Sequence, residues 1–443
     1  MSFPAESKTD RPPIPTGGFK GCDLPPVVTD KPPRVLIAGA GLGGLFLGIL
    51  LENSGIPYEI FERSAEIRPL GSIMCLSPNI LPAFEQLGLL DELMSFSKPS
   101  RGGTMLTDKL KLVGKAIAAP TDLIGYDRIL LARPELYTML FSNIPKEKIR
   151  MSKKVLSFQQ NHEGVMLRFS DNTTIHGDIL VGADGAHSAV RQHLYKTLGK
   201  QGLLPDSDTK EMCKGYISLV GTTDALDPEK YPGVLEEDSE SYFVVGDKNT
   251  PYTVGVAEVA DEQFKSSDWI PQQNQKMMDS IRHFKTPYGT LGDLFDVTPI
   301  ERVSKVGAGA VNAMQDAVLL ANHLYDIYPT SFENIKRAFS SYKDERFDAI
   351  KDQYPQSYMS AKLIYGHTLS ERIVRHVVFN WLPKGIQHRQ FLKDTAYRPQ
   401  ANFLPQAPKR GSLEVIPQRP SIRIPKEEGE TRELKKQGIV VPL

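Results

Sequence analysis

From Arg34 to Gly39 the chain is an almost unbroken apolar run, and after two further glycines it is apolar again to Leu51. The first run predicts a short strand buried on both faces, and the second a buried helix over 42–53 that Gly55 caps at its C-terminus. YEIFER, 58–63, reads as the next strand. Helical spacing follows in 79–96 and again in 134–144. The period then shortens. VLSFQQ, VMLRFS and TTIHGDILVGADG, joined by NHEG and SDN, predict an antiparallel meander whose last strand is buried before a turn at 183–185.

A second sheet is expected between about 212 and 260, where KGYISLVGTT, SYFVVGD and YTVGVAEV alternate, with helical segments over much of 262–296. Helices return at 312–325 and 334–350, and a further helical stretch reaches Trp381. The two ends differ in composition. Residues 1–32 are polar and proline-rich, without the apolar core of a signal peptide, and read as a disordered lead. Residues 396–443 are charged, rich in proline and poor in groups to bury, and read as a tail. These limits divide the chain into 33–200, a candidate substrate domain at 201–300, and a return to the first domain at 301–395.

With 53 basic and 53 acidic side chains there is no net field to favour nucleic acid or an acidic surface as a general partner. Cys22, Cys75 and Cys213 are odd in number, far apart and outside any CxxC pair, which argues against a disulfide framework and for a reducing, cytoplasmic setting. The nine histidines form no HExxH, so redox chemistry here calls for an organic cofactor rather than a metal. The apolar run 35–51 approaches the length of a membrane span, but five glycines break it and strand, turn and helix explain it better. HVVFNWLPKGI, 376–386, has the makings of an interfacial segment, although a buried helix end is the preferred reading.

Gly39, Gly41 and Gly44 form GxGxxG between a strand and a helix, where glycines permit a tight turn, close approach of a pyrophosphate and close helix packing. Alone the pattern says little. Glu62, at the end of the second strand, stands where an acid accepts hydrogen bonds from both hydroxyls of an adenosine ribose. GADGAHSAVR, 182–191, fits GxDGxxSxxR, with Asp184 in a turn and Arg191 about two helical turns on; an ordinary strand-to-helix turn with Ser188 at the helix start fits the spacing equally well.

GAGLGG, Glu62, GADGAHSAVR and GAGAVNAMQDAVLLA, in that order over roughly 33–350, resemble the single-component class A flavoprotein aromatic hydroxylases, in particular the fungal-type branch acting on aromatic and terpenoid metabolites. The resemblance implies a three-layer α/β, Rossmann-like FAD-binding domain with an inserted, mainly antiparallel substrate sheet. It further implies FAD, with NADPH or NADH as electron donor, and transfer of one oxygen atom from O2 to a small aromatic or terpenoid substrate. Carried over residue by residue, it places Gly71 near the cofactor and Arg133 in contact with FAD. Asp184 and Arg191 would organise FAD and the nicotinamide donor, and Ala310 would approach the flavin. Tyr242 falls where some relatives place a catalytic tyrosine, although an aromatic in a strand is more often packing.

Relatives carry a buried strand ending in Gly-Asp-Ala, and a proline loop, just before the segment that here begins at Gly307. SKVGAGAVNA lacks both, as if one internal piece were deleted between Val306 and Gly307. The lost aspartate would cost FAD one charge-assisted hydrogen bond, roughly 1.5–3 kcal/mol. Three readings follow from the sequence: an FAD-dependent monooxygenase impaired at this seam, a catalytically inactive scaffold that keeps a binding role, or an NAD-dependent dehydrogenase, which fits the glycine loop but leaves GADGAHSAVR and GAGAVNA unexplained. Substrate identity is not legible, because the pocket side chains cannot be placed.

Overall fold

The computed structural model describes residues 28–66, 73–117, 119–209, 219–220, 223–245, 253–257, 275, 278–299, 304–305, 309–351, 358–359, 362–364, 366 and 368–424. The first apolar run is strand β1 (Val35–Ala38), every residue of it buried. The glycine turn leads into α1 (Leu42–Asn53), and Gly55, with φ +69, follows its C-terminus as expected. Strand β2 (Tyr58–Phe61) and, after helix α2 (Arg133–Ser142), the short β3 (Ile149–Arg150) continue on one side of β1. Strand β4 (Ile179–Gly182) lies on the other side, so the parallel order is β4-β1-β2-β3, with Val35 in register with both Tyr58 and Ile179.

Helix α3 (Ala189–Lys200) follows β4, and α4 (Ala310–Tyr325) brings the chain back to the sheet. Leu45, Phe46 and Ile49 of α1 share one buried cluster with Met314, Val318 and Ala321 of α4. A Cβ on Gly43 would lie 2.9 Å from that of Ala313, so the two helices nearly touch backbones at their N-terminal ends. Beyond α4 come α5 (Phe332–Ile350), α6 (Leu369–Asn380) and α7 (Lys384–Ala396).

The second sheet is mainly antiparallel as expected, with one parallel pairing, but its membership crosses the boundary expected at 200. Strands Ser239–Val245 and Thr253–Ala257 join Ser97–Thr107, Leu112–Ile117, Ile129–Ala132 and Ile73–Leu76, all from the first half of the chain. Ser97–Thr107 is the spine, pairing parallel with Ser239–Val245 and antiparallel with Leu112–Ile117 and Ile129–Ala132.

Three further expectations need correction. The helix read over 79–96 is two short ones, Leu81–Gln86 and Leu90–Ser95, because Gly88 between them takes φ +69. The meander stops at Gly177: Arg34 N–H donates to the Asp178 carboxylate (2.7 Å) and Asp178 N–H to the Arg34 carbonyl (2.9 Å), so β4 turns into the parallel sheet. There it is, among the described residues, the outermost strand, with Leu180 and Val181 half-buried, not the buried strand expected. Residues 397–424 are not a loose tail. Ala401 and Arg398 are buried, and Gln86 pairs with Ala401 twice, its Nε2 donating to the carbonyl (3.0 Å) and its Oε1 accepting the N–H (2.8 Å). A chain poor in apolar groups can dock in this way when side-chain amides supply the partners its backbone needs. Of the expected N-terminal lead, 28–32 are described, with Thr29 and Thr330 exchanging both backbone hydrogen bonds; 1–27 and 425–443 lie outside the described residues.

Candidate functional site

The C-terminal ends of β1, β2 and β4 meet the N-termini of α1, α3 and α4. Ala183 N–H donates to the Ala38 carbonyl (2.8 Å), which holds the turn after β4 against the turn after β1. The three glycines of GxGxxG differ in what they do there. Gly39 takes φ +107, and a Cβ on it would sit 2.6 Å from the Ala183 carbonyl oxygen. A Cβ on Gly44 would sit 2.1 Å from the Gly39 oxygen. Both are needed by the protein itself.

Gly41 is not. Its φ of −75 suits any residue, and a Cβ would meet only the Ala183 oxygen, at 3.9 Å. The room beside it opens at the start of a 12-residue helix whose first amides have no side-chain cap, a place that favours an anion.

Glu62 stands directly beyond β2. Its Oε2 accepts the Ala40 N–H and its Oε1 the Ser64 N–H, both at 2.9 Å, so the carboxylate is fixed beside the glycine turn with lone pairs left to accept from hydroxyls. Arg133 opens α2 nearby. Burial lowers the Arg133 pKa, and the Tyr137 phenolate works against that shift. The Tyr137 phenol is pushed up to about 12, by burial and by the Glu62 carboxylate, against the pull of Arg133. Glu62, Arg133 and Tyr137 therefore share one electrostatic neighbourhood. Tyr137 had no sequence signal beyond its place in a helix.

In GADGAHSAVR the structure builds the helix-start geometry. Asp184 Oδ2 accepts the N–H of Ala189 (2.6 Å) and of Val190 (3.2 Å), and Ser188 Oγ that of Arg191 (2.9 Å), so two side chains cap α3. The Arg191 guanidinium donates to the Ala186 carbonyl and tightens the same turn. What capping leaves over is Asp184 Oδ1, a buried oxygen without a protein partner. A buried acceptor of that kind calls for a donor from elsewhere.

Ala310 begins α4, with Gly309 as its N-cap; a Cβ on Gly309 would meet nothing within 4 Å. Here too the protein leaves space where backbone faces outward. Gly71 lies outside the described residues, as do Val306, Gly307 and Ala308, so the seam itself has no geometry to report. Its surroundings do: among the described residues no strand pairs with the outer edge of β4. Tyr242 sits in the second sheet opposite Thr104 and Val256. By strand alternation it shares a face with Val244, which packs into the cluster of Tyr231, Ile281, Phe284 and Leu291. The described geometry does not bring it together with the glycine turn, Glu62, Arg133 or Asp184.

The residues present fit the ADP half of a dinucleotide: an open turn at a helix N-terminus, a fixed carboxylate beside it and an unspent acceptor at Asp184. A metal site has no counterpart, since no group of three or more His, Cys, Asp or Glu side chains gathers among the described residues.

Comparison with known proteins agrees with this geometry. The FAD binding domain family matches residues 33–212. Aurachin C monooxygenase/isomerase of Stigmatella aurantiaca is 32% identical over 163 residues, 37% of this chain and 43% of that one. An FAD-dependent monooxygenase of Aspergillus niger, pynG, is 26% identical over 403 residues, 79% of this chain and 92% of its own. The chain spans less than half the length of the relatives it matches at above 30% identity. Among solved structures, Klebsiella pneumoniae HpxO complexed with FAD and uric acid superposes with a TM-score of 0.63 at 17% identity, covering 83% of this chain and 97% of that one, which establishes a shared fold.

Proposed function

We propose that this chain, whose residues 33–212 match an FAD binding domain, is a class A flavoprotein monooxygenase that uses FAD, NADPH or NADH, and O2 to hydroxylate or epoxidise a small aromatic or terpenoid metabolite. The observation that carries the reading is the space at Gly41. It is a turn that the protein does not need to keep open for itself, set between a fixed Glu62 and the N-terminus of α1. Bound FAD, once reduced, supplies the oxygen-activating chemistry; the protein binds, orients and shields.

Glu62 would hold the adenosine ribose, and the amides that open α1 the pyrophosphate. Arg133 would set a positive charge beside the cofactor, and Asp184 Oδ1 would accept a hydrogen bond from cofactor or ordered water. The amides opening α4 at Gly309 and Ala310 would face the flavin end. Tyr242, on the second sheet, would act on the substrate side. The named activities of relatives, FAD-dependent monooxygenases of fungi and a urate hydroxylase of Klebsiella oxytoca among them, support a small organic substrate.

The test is the visible spectrum of the purified chain before and after adding FAD, followed by O2 uptake with NADPH or NADH and a panel of phenols and terpenoids. Bound flavin with substrate-dependent O2 uptake is expected. A folded, colourless chain that FAD cannot reconstitute would overturn the proposal.

That no described strand pairs with the outer edge of β4 favours a second reading, a scaffold that keeps the ADP-binding half and has lost catalysis. Inserting a relative's strand and loop between Val306 and Gly307 separates the two. If flavin binding appears only in the restored chain, the second reading stands; if the insertion changes nothing, it fails.

A further inference from the structure

Among the described residues, helix α6 is held to the rest of the chain through one face and through its last residue, Asn380. Phe379 packs on the Gly114 backbone of the second sheet, Asn380 Nδ2 donates to the Val113 carbonyl (3.0 Å), and the buried Arg375 donates to the Ile364 carbonyl (3.0 Å). At about 100° per residue, Phe379 and Arg375 lie close together on the helical wheel, and Leu369, Ile373, Val374 and Trp381 fall in an arc on the far side. Those four are exposed by 68, 56, 48 and 73%. The preference for a buried helix end at 376–386 is thus reversed: the helix is anchored through Phe379 and shows its most apolar stripe to the outside. In the next helix, α7, Ile386, Arg389 and Lys393 share an exposed face opposite the buried Thr395.

Charge decides what such a surface fits. Residues 358–398 carry seven Lys and Arg against two Asp and Glu, in a chain whose total balances at zero. Arg375 and Arg398 are buried, which leaves a basic excess around the apolar stripe. An apolar stripe ending in tryptophan and flanked by cations matches the boundary of an anionic bilayer, where the stripe enters the acyl region and the cations meet headgroup phosphates. A second copy of this chain would bring the same positive charge and be repelled. Neither helix spans a membrane: α6 has 12 residues, and no described helix is long and apolar enough to cross one.

We propose that α6 and the start of α7 form a surface that docks this protein onto anionic lipid bilayers, lying in the interface with Leu369, Ile373, Val374 and Trp381 inserted.

The experiment is co-sedimentation of the full chain with phosphatidylcholine vesicles, with and without phosphatidylserine. Beside it go L369S/I373S/W381S, all exposed positions, and R389E/K393E. Binding to the anionic vesicles is expected, weakened about tenfold or more in the triple variant, and weakened by salt and by the charge reversals. A thermal melt equal to that of the parent keeps each variant interpretable. As a direct readout, W269F leaves Trp381 as the only indole, and its emission should shift to the blue when vesicles are added. A folded chain that binds neither vesicle, or a triple variant that binds as well as the parent, would overturn the proposal. So would a dimer that the triple variant abolishes in a chain that ignores lipid, since a second copy would then be the occupant.

Discussion

Gly41→Ala separates what the protein needs from what a ligand needs. The backbone at Gly41 is already at φ −75, and the added methyl group would touch nothing nearer than the Ala183 oxygen at 3.9 Å. Gly-to-Ala at a compatible φ gains about 0.4–1 kcal/mol from the unfolded state. Alanine is a somewhat poorer N-cap than glycine, which offsets part of that gain. The melting temperature should therefore stay within a few degrees of the parent's.

FAD binding should not. A methyl group in the space assigned to the pyrophosphate would cost at least one charge-assisted amide-to-phosphate hydrogen bond, roughly 1.5–3 kcal/mol. That is about ten- to a hundredfold in Kd. The assay is fluorescence titration of FAD against both chains, paired with thermal melts. Gly39→Ala is the contrast, because φ +107 and a 2.6 Å approach to the Ala183 oxygen should lower the melting temperature by about 4 °C or more. Equal FAD affinity in the Gly41→Ala and parent chains would refute the placement of the pyrophosphate. A large drop in melting temperature for Gly41→Ala would refute the claim that the space is not the protein's own.

Glu62→Gln keeps an acceptor for one of the two amides at 2.9 Å and should weaken FAD binding about tenfold or more with a small loss of stability; Glu62→Ala should also lower the melting temperature, read by the same titration and melt. Arg133→Ala should weaken flavin binding more than ADP binding if the guanidinium serves the flavin side, and competition between the two ligands would reveal it. The strap at 397–424 should loosen in acid. Burial would raise the Glu85 pKa, but hydrogen bonds from Arg410 and Tyr126 and the Arg410 charge outweigh it and hold the carboxyl below its ordinary 4.5. Its stabilisation is accordingly complete above about pH 4.5 and lost as the pH falls through the lowered value. Because Arg410 is half exposed, Glu85→Gln should cost about 1 kcal/mol or less at neutral pH, and the difference from the parent should vanish in acid, measured by urea melts across pH.

The parallel half of the fold was legible because burial leaves continuous apolar runs: Val35–Ala38 and Leu42–Leu51 could hardly be anything but a buried strand and helix. The glycine turn at Gly39–Gly44, the candidate site, was legible for a related reason, since tight turns and close approaches need specific residue types. Asp184 and Arg191 were singled out by spacing, but that Asp184 caps α3 and Arg191 ties down the turn before it shows only in the hydrogen bonds. The spine of the second sheet was missed. Ser97–Thr107 reads SKPSRGGTMLT, with a proline and two glycines in it, and it is a strand because partners from both halves of the chain pair with it. The packing of 397–424 was missed as well, because Gln86 and Asn322 hold it through side-chain amides, which leave no apolar periodicity to read.

Those amide pairs have a consequence for how the molecule is made. Gln86 and Ala401 are 315 positions apart, and Asn322 serves Gln400 and Asn402 from about 80 positions away. During synthesis the parallel sheet can assemble once β4 has emerged, yet the surface around Gln86 waits until residues 400–402 have been translated. Contacts of such long range form late and slowly. The nascent protein thus carries that flank unsealed from the emergence of Gln86 until Ala401 follows it, and a premature stop before residue 397 would leave it so permanently, a defect around Gln86 caused by a lesion far downstream.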